Sequence, residues 1–134
     1  MPESKKIVLD TNFLLIPGQI GLDIFAEIER IADFKYELFI LDKSIKELQN
    51  VLEKQKGRHK AAAKIAFSLV KSKNFNILPS PQGIKGADDV LVELAKKDKS
   101  IIVATVDAEL RRRLKKEGAK VITSRQKSHL VIEG

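Results

Sequence analysis

The run Ile101-Ile102-Val103-Ala104-Thr105-Val106 ends at Asp107, and an amphipathic segment, Ala108 to Glu117, follows without a linker. A continuous β-branched and apolar run reads as a strand buried on both faces, the pattern of parallel strands covered by helices. Side chains at the carboxyl ends of such strands line the crevice where open α/β sheets take ligands. The N-terminus repeats the layout, with Ile7-Val8-Leu9 running straight into Asp10-Thr11-Asn12. A chain with these two stretches is constrained to a sheet that delivers two carboxylates to one rim.

The remaining segments alternate in the same way. Residues 1–5 read as a loose terminus, Lys6–Leu9 as the first strand, and Phe13–Ile16 as an apolar stretch broken at Pro17-Gly18. Leu22–Phe34 carries Ile24, Ile28 and Ile31 at helical spacing. A short strand, Glu37–Leu41, leads into a helix opened by Asp42-Lys43-Ser44, which Gly57 interrupts before a second helix, Arg58–Lys73. Phe75–Leu78 is a strand, residues 79–83 a loop, and a helix begins near Ala87. The helix after Asp107 stops at Gly118 with Lys115 and Lys116 in its last turn, as the helix dipole favours. Val121-Ile122 and His129–Ile132 close the chain as strands. The alternation predicts a three-layer α/β/α sandwich around a central, mostly parallel sheet, as a single domain over residues 1–134.

Several function classes drop out on composition. With no cysteine, disulfides, zinc-thiolate centres and thiol nucleophiles are excluded. No apolar run approaches the roughly 20 residues of a membrane helix, and Lys5 and Lys6 precede an apolar run too short for a signal peptide. A cytoplasmic location is the expectation. Lysine and arginine total 25 against 18 acids, a formal charge of +7, which favours a polyanionic partner and nucleic acid first. Arg111, Arg112, Arg113, Lys115, Lys116 and Arg125 form one basic group, the candidate nucleic-acid-binding residues. Lys54, Lys56, Arg58, Lys60 and Lys64 form a second, and for each group a solvated helical face is the competing reading. His59 and His129, far apart in sequence, read as surface residues, and the six phenylalanines and one tyrosine mostly as core.

Each prominent acid has a local explanation. Asp10 and Asp107 suit helix N-caps. Ser44-Ile45-Lys46-Glu47 fits a capping box, with the glutamate reaching back to the cap amide. Asp88 and Asp89 complement a helix dipole. These explanations leave their common placement unaccounted for. Asp10, Glu47, Asp89 and Asp107 all lie at a strand-to-helix transition or soon after one, and in a parallel sheet those positions share an edge. Carboxylates gathered there repel unless a cation neutralises them. Hard divalent ions take oxygen ligands, and such ions can activate water for phosphodiester cleavage.

These residues carry a family resemblance. Asp10-Thr11-Asn12, Glu47, Gly86-Ala87-Asp88-Asp89 and Ala104-Thr105-Val106-Asp107 resemble the acidic signature of PIN-domain nucleases across nearly the whole chain. The stretches Ala87–Leu91 and Ile102–Arg113, with Val121-Ile122 and Arg125 behind them, are most similar to the subgroup of pre-ribosomal-RNA-cleaving PIN proteins. The resemblance implies a PIN-like fold and a metal-dependent endoribonuclease in which Asp10, Glu47, Asp89 and Asp107 hold Mg²⁺ or Mn²⁺. Thr11, Asn12 and Thr105 would orient ligands or water. Asp89 is preferred to its alternate Asp88 because its spacing to Asp107 suits the family, and side chains about 100° apart on a helix cannot both face one ion. Ribosomal RNA processing is the implied role. The alternatives are a VapC-type toxin, which would bring an antitoxin partner, and a non-catalytic RNA-binding or assembly module. PIN relatives often dimerise, although no apolar stripe here demands a homodimer.

Overall fold

The computed structural model describes residues 4–134, so the expected loose terminus is testable only from Ser4 onward. Six strands, β1 (Lys5–Leu9), β2 (Tyr36–Leu41), β3 (Asn76–Leu78), β4 (Ile101–Ala104), β5 (Lys120–Arg125) and β6 (His129–Glu133), form one sheet in the order β3-β2-β1-β4-β5-β6. All neighbours are parallel except β6, which returns antiparallel to β5. Lys5 already belongs to β1.

Among the described residues seven helices connect and cover the sheet: α1 (Thr11–Leu14), α2 (Ile16–Ile20), α3 (Ile24–Ile31), α4 (Asp42–Lys54), α5 (Arg58–Ser72), α6 (Ala87–Lys97) and α7 (Ala108–Lys116). Successive strand residues face opposite sides, and each side has its own core. Ile7, Leu9, Ile102, Ala104 and Ile122 pack with Phe13, Ile24, Ile28 and Leu48. Val8, Ile101, Val103 and Val121 pack with Val90, Leu91, Leu110 and Leu114. The three-layer α/β/α sandwich is therefore realised with both faces dry.

The strand order positions the site. From β1 the chain builds outward through β2 and β3, then crosses back to lay β4 and β5 on the other flank of β1. The reversal falls between β1 and β4, paired in register from Lys6↔Ile101 to Leu9↔Ala104. Their carboxyl ends frame a topological switch point, where α/β sheets open a crevice.

Several local expectations give way to better physics. The organising strand ends at Ala104. Thr105 stays buried and its amide still bonds Ile122 O at 2.9 Å, but Val106 is 38% exposed as the chain turns out toward α7. Pro17-Gly18 is no break, since proline fits a first helical turn, and Pro17 sits at the start of α2. The break comes at Gly21, whose φ of 72° is the left-handed conformation glycine tolerates. Helix α3 is shorter than its apolar stripe because Asp23 caps it, accepting from the amides of Phe25 and Ala26. The capping box at Ser44 does not form. Helix α4 starts earlier, at Asp42, which accepts from the Lys43 amide at 2.7 Å and from Ser80. Ser44 is then interior, its hydroxyl buried without a partner, and Glu47 is released from cap duty.

Two contacts fix the periphery. A β-carbon on Gly18 would lie 2.6 Å from Ala62 Cα, so the backbones of α2 and α5 touch only because position 18 is glycine. At the other end, the outer edge of β6 is closed by α3: Glu27 accepts from Leu130 N at 2.9 Å and Arg30 donates to Leu130 O at 3.1 Å. Covering an edge in this way removes a template for strand addition.

The β5–β6 hairpin turns through Gln126 and Lys127, with φ of 55° and 56°, closed by Ser128 N to Arg125 O at 3.1 Å. Two positive φ values define the type I′ geometry that normally recruits Asn-Gly. Lys127→Gly should relieve a left-handed penalty of about 1 kcal/mol and raise Tm by about 4 °C in a chain of this size. A thermal melt checks it.

Candidate active site

Asp10 is the buried centre of the rim, only 7% exposed. One carboxylate oxygen accepts from the Thr11 amide at 2.8 Å and the other from the Thr105 hydroxyl at 3.0 Å. Thr105 in turn accepts from Asp107 N at 3.1 Å, so one buried hydroxyl links the end of β1 to the start of α7. Asp107 caps α7, accepting from Leu110 N at 2.8 Å. The capping explanation for Asp10 and Asp107 is thus real. It does not exhaust them, because an ionised carboxylate offers about four acceptor sites and these contacts use two on Asp10 and one on Asp107.

The electrostatics identify which acids share the rim. Burial raises the Asp10 pKa above the ordinary value; the Thr105 and Thr11 hydrogen bonds oppose this, and the charges of Asp88 and Asp107 add to it. Glu47 is solvent-accessible at its outer side, yet protein crowding around its carboxyl raises its pKa, with Asp10 and Asp88 contributing repulsion. The Thr11 hydroxyl partly offsets this, but it sits outside hydrogen-bonding geometry, and its oxygen is buried without a partner. Asp88 is raised by burial first and by Asp107 next, against the opposing pull of Arg113. The charge of Asp88 thus reaches both Asp10 and Glu47, and that of Asp107 reaches Asp10 and Asp88, while Asp89 acts on its neighbour Asp88.

Asp89, the preferred residue of the adjacent pair on sequence grounds, lies elsewhere. Its side chain is 60% exposed and its Oδ1 accepts from Arg113 at 2.7 Å. The reason is helical phase. Leu91 and Ala95 are buried in α6, and Asp88 precedes them by three and seven residues, on the same stripe. Asp89 shares its stripe with Val92, Glu93 and Lys96, which flank the Asp89–Arg113 pair in a separate surface pocket. Helical periodicity alone carried that signal.

The expected orienting residues divide. Thr105 bridges Asp10 and Asp107, and Thr11 supplies its amide to Asp10 while its hydroxyl points into buried space near Glu47. Asn12 is exposed and opens a cleft between α1–α2 and α4–α5.

The basic group on α7 is more constrained than its sequence suggests. Lys115 and Arg125 pair with Glu133 at 2.6 and 2.9 Å, and Arg111 approaches the same carboxylate at 3.4 Å. Together they hold the Glu133 pKa down to about 2. Arg112 pairs with Glu109 and Arg113 with Asp89, so among the described residues Lys116 alone of the six candidates makes no ion pair. Nothing in the local sequence marks Glu133 as their shared partner.

The donor set suits a hard cation. It is all oxygen, strongly anionic, and includes an orphaned buried hydroxyl at Thr11. Among the described residues no three carboxylate or imidazole groups close into a ready-made cage. Mg²⁺ does not require one, since it is held by one or two carboxylates and keeps much of its water.

The same geometry sets a stability expectation. A carboxyl whose folded pKa is raised destabilises the fold once ionised; the cost is complete above the folded pKa and vanishes below the unfolded one. In metal-free buffer near neutral pH, Asp10→Asn should therefore melt higher than the parent, and the difference should shrink as pH falls through the raised Asp10 pKa. Differential scanning fluorimetry across pH reads this. Glu133 has the opposite sign: its stabilisation is present above the ordinary carboxylate range and is lost as pH falls toward about 2.

An acidic rim at the switch point of a mostly parallel α/β/α sheet defines a class, and sequence comparison agrees: the chain belongs to the family described as "PIN like domain", which matches residues 7–127. Among curated relatives, it is 35% identical over 131 residues to Ribonuclease VapC4 of Methanocaldococcus jannaschii, covering 96% of this chain and 97% of that protein. It is 30% identical over 110 residues to the rRNA-processing protein FCF1 homolog of Homo sapiens, covering 82% of this chain and 52% of that protein. Among solved structures, the PIN domain endonuclease Utp24 matches with a TM-score of 0.75 at 27% identity, covering 96% of this chain and 90% of that one. The expected family and fold both hold. Among the described residues no helix is long and apolar enough to cross a membrane.

Proposed function

We propose that this chain is a metal-dependent endoribonuclease that hydrolyses RNA phosphodiester bonds at the Asp10 rim. The observation that carries the reading is the buried Asp10 carboxylate at the end of β1, held by the Thr11 amide and the Thr105 hydroxyl and linked through Thr105 to Asp107 at the start of α7; the charges of Glu47 and Asp88 reach the same place. Stability argues against keeping such a set without a bound cation. The names of the relatives support it: a ribonuclease, an rRNA-processing protein and an endonuclease.

In this reading Asp10, Glu47, Asp88 and Asp107 hold Mg²⁺ or Mn²⁺, with Asp88 taking the place first assigned to Asp89. When bound, the ion supplies Lewis acidity at the phosphate and lowers the charge barrier to an incoming oxygen. The chain's own residues do the positioning. Thr105 ties the Asp10 carboxylate to the Asp107 backbone, the Thr11 amide holds its other oxygen, and the buried Thr11 hydroxyl lies beside Glu47, whereas Asn12 opens outward into the neighbouring cleft. Water then attacks phosphorus in line, the P–O bond opposite it breaks, and the proton that the water gives up is matched by one taken up on the leaving oxygen, with no covalent enzyme intermediate.

Two biological roles are compatible with the chemistry. The similarity to FCF1 homologues and to Utp24 favours ribosomal RNA processing. The match to VapC4 along nearly the full length of both chains favours a toxin ribonuclease, which would pair with an antitoxin protein. Expression of the chain in its own host background separates them. Growth arrest relieved by a neighbouring gene product supports the toxin, whereas accumulation of uncleaved precursor rRNA on depletion supports processing. The biochemical test is cleavage of single-stranded RNA with added Mn²⁺, abolished by EDTA. Intact RNA under both conditions leaves only a binding or assembly module.

A further inference from the structure

The cleft that begins at Asn12, two residues beyond Asp10, runs between α1–α2 and α4–α5 and has a volume of about 350 Å³, with Gln19, Gln55 and His59 along it. It shares Gln19 and His59 with an adjoining depression of about 380 Å³ that reaches Gly18 and Arg58. Each is of a size that takes a small organic ligand. The shared residues make them neighbours along one surface channel that starts at Asn12. Its floor is set by the contact of Gly18 with Ala62, which fixes α2 against α5.

The chemistry along this channel changes in order. Asn12, two residues along the chain from Asp10, stands at one end, and the amides of Gln19 and Gln55 and the His59 imidazole stand in the middle. At the far end Lys54, Lys56, Arg58 and Lys60 surround the α4–α5 turn, exposed or half-exposed. Among the described residues none of these four cations makes an ion pair, whereas Arg111, Arg112, Arg113, Lys115 and Arg125 are all held by acids. A phosphate can take an unpaired cation without first breaking a contact. Primary amides offer paired donors and acceptors to base edges, and an imidazole offers a stacking face, which is how single-stranded RNA is read.

We propose that the Asn12–His59 channel is a nucleotide subsite, in which Gln19, Gln55 and His59 contact a base flanking the scissile phosphate and Lys54, Lys56, Arg58 and Lys60 carry the backbone beyond it. This rests on the endoribonuclease reading and transfers the RNA path from α7 to the α4–α5 turn.

The test uses the full chain with Asp10→Asn as a non-cleaving background, and fluorescence anisotropy with labelled single-stranded RNA across a salt series. Replacing all four cations by glutamine should weaken binding at least tenfold and flatten the salt dependence by about two to three units of slope, since each single-strand phosphate contact contributes about 0.7. The same replacement of Arg111, Lys115 and Arg125 should have the smaller effect. His59→Ala, a change at an exposed position, should raise KM and alter preference among homopolymer RNAs in the cleaving enzyme with kcat little changed. Unchanged affinity and slope in the four-cation variant, with loss in the α7 variant, overturns the proposal. Channel variants that bind RNA normally but lose a co-purifying protein also overturn it and assign the channel to a protein segment. If the parent neither binds nor cuts RNA, the endoribonuclease reading fails instead.

Discussion

Asp88→Asn is expected to cut the rate of RNA cleavage by about a thousandfold, while Asp89→Asn, one residue away, should leave it within a few-fold. The first substitution removes a negative oxygen from the set that Asp10 and Glu47 both feel. Loss of a ligand worth several kcal/mol of transition-state stabilisation corresponds to about three decades in rate. The second breaks an exposed pair with Arg113, and such pairs contribute about 0–1 kcal/mol. Both aspartates sit in the first turn of α6, so any effect through the helix dipole is common to both. Parallel kinetics on the two variants separate geometry from local charge. Equal losses would mean that α6 contributes through its overall charge, and a loss confined to Asp89→Asn would restore the spacing-based choice.

Asp10→Asn should reduce cleavage by at least as much, with binding of RNA retained and the metal-free protein melting higher. Asp10 is the buried acid of the rim and is bonded from two sides. Asparagine keeps the acceptor for the Thr11 amide but carries no charge for a cation. Cleavage and melting should therefore move in opposite directions, the mark of a residue kept for chemistry at a cost in stability. Cleavage assays beside melts of the same preparation read both, and a variant that loses activity only because it unfolds would show a lower Tm.

Sequence patterns made the fold legible because both sources of information are local and strong. Val8 and Val103 lie in one core and Ile7 and Ile102 in the other, and an unbroken apolar run is what two dry faces demand. Element ends were read less well. Asp23, Asp42 and Gly21 decide where helices start and stop through side-chain and backbone geometry that an apolar stripe does not record. Asp10 and Asp107 were visible because a strand runs into each of them. Between Asp88 and Asp89 the family spacing favours Asp89, whereas helical phase puts Asp88 on the stripe of Leu91 and Ala95; both side chains are exposed, and which of them faces the rim depends on how α6 sits against α7 rather than on local sequence. The pairing of Arg111, Lys115 and Arg125 with Glu133 depends on an antiparallel return of β6 that brings the end of the chain beside α7. Contacts of that range have no trace in local composition.

Calorimetric titration of Mn²⁺ into the full chain tests the central claim most directly, because it asks whether the clustered oxygens hold a cation without requiring the right RNA. A saturable site is predicted, weakened more than tenfold by Asp10→Asn or Asp88→Asn, left intact by Asp89→Asn, and fading as pH drops because its ligands must be ionised. No heat of binding in the parent, or a titration that all three substitutions leave unchanged, would contradict it.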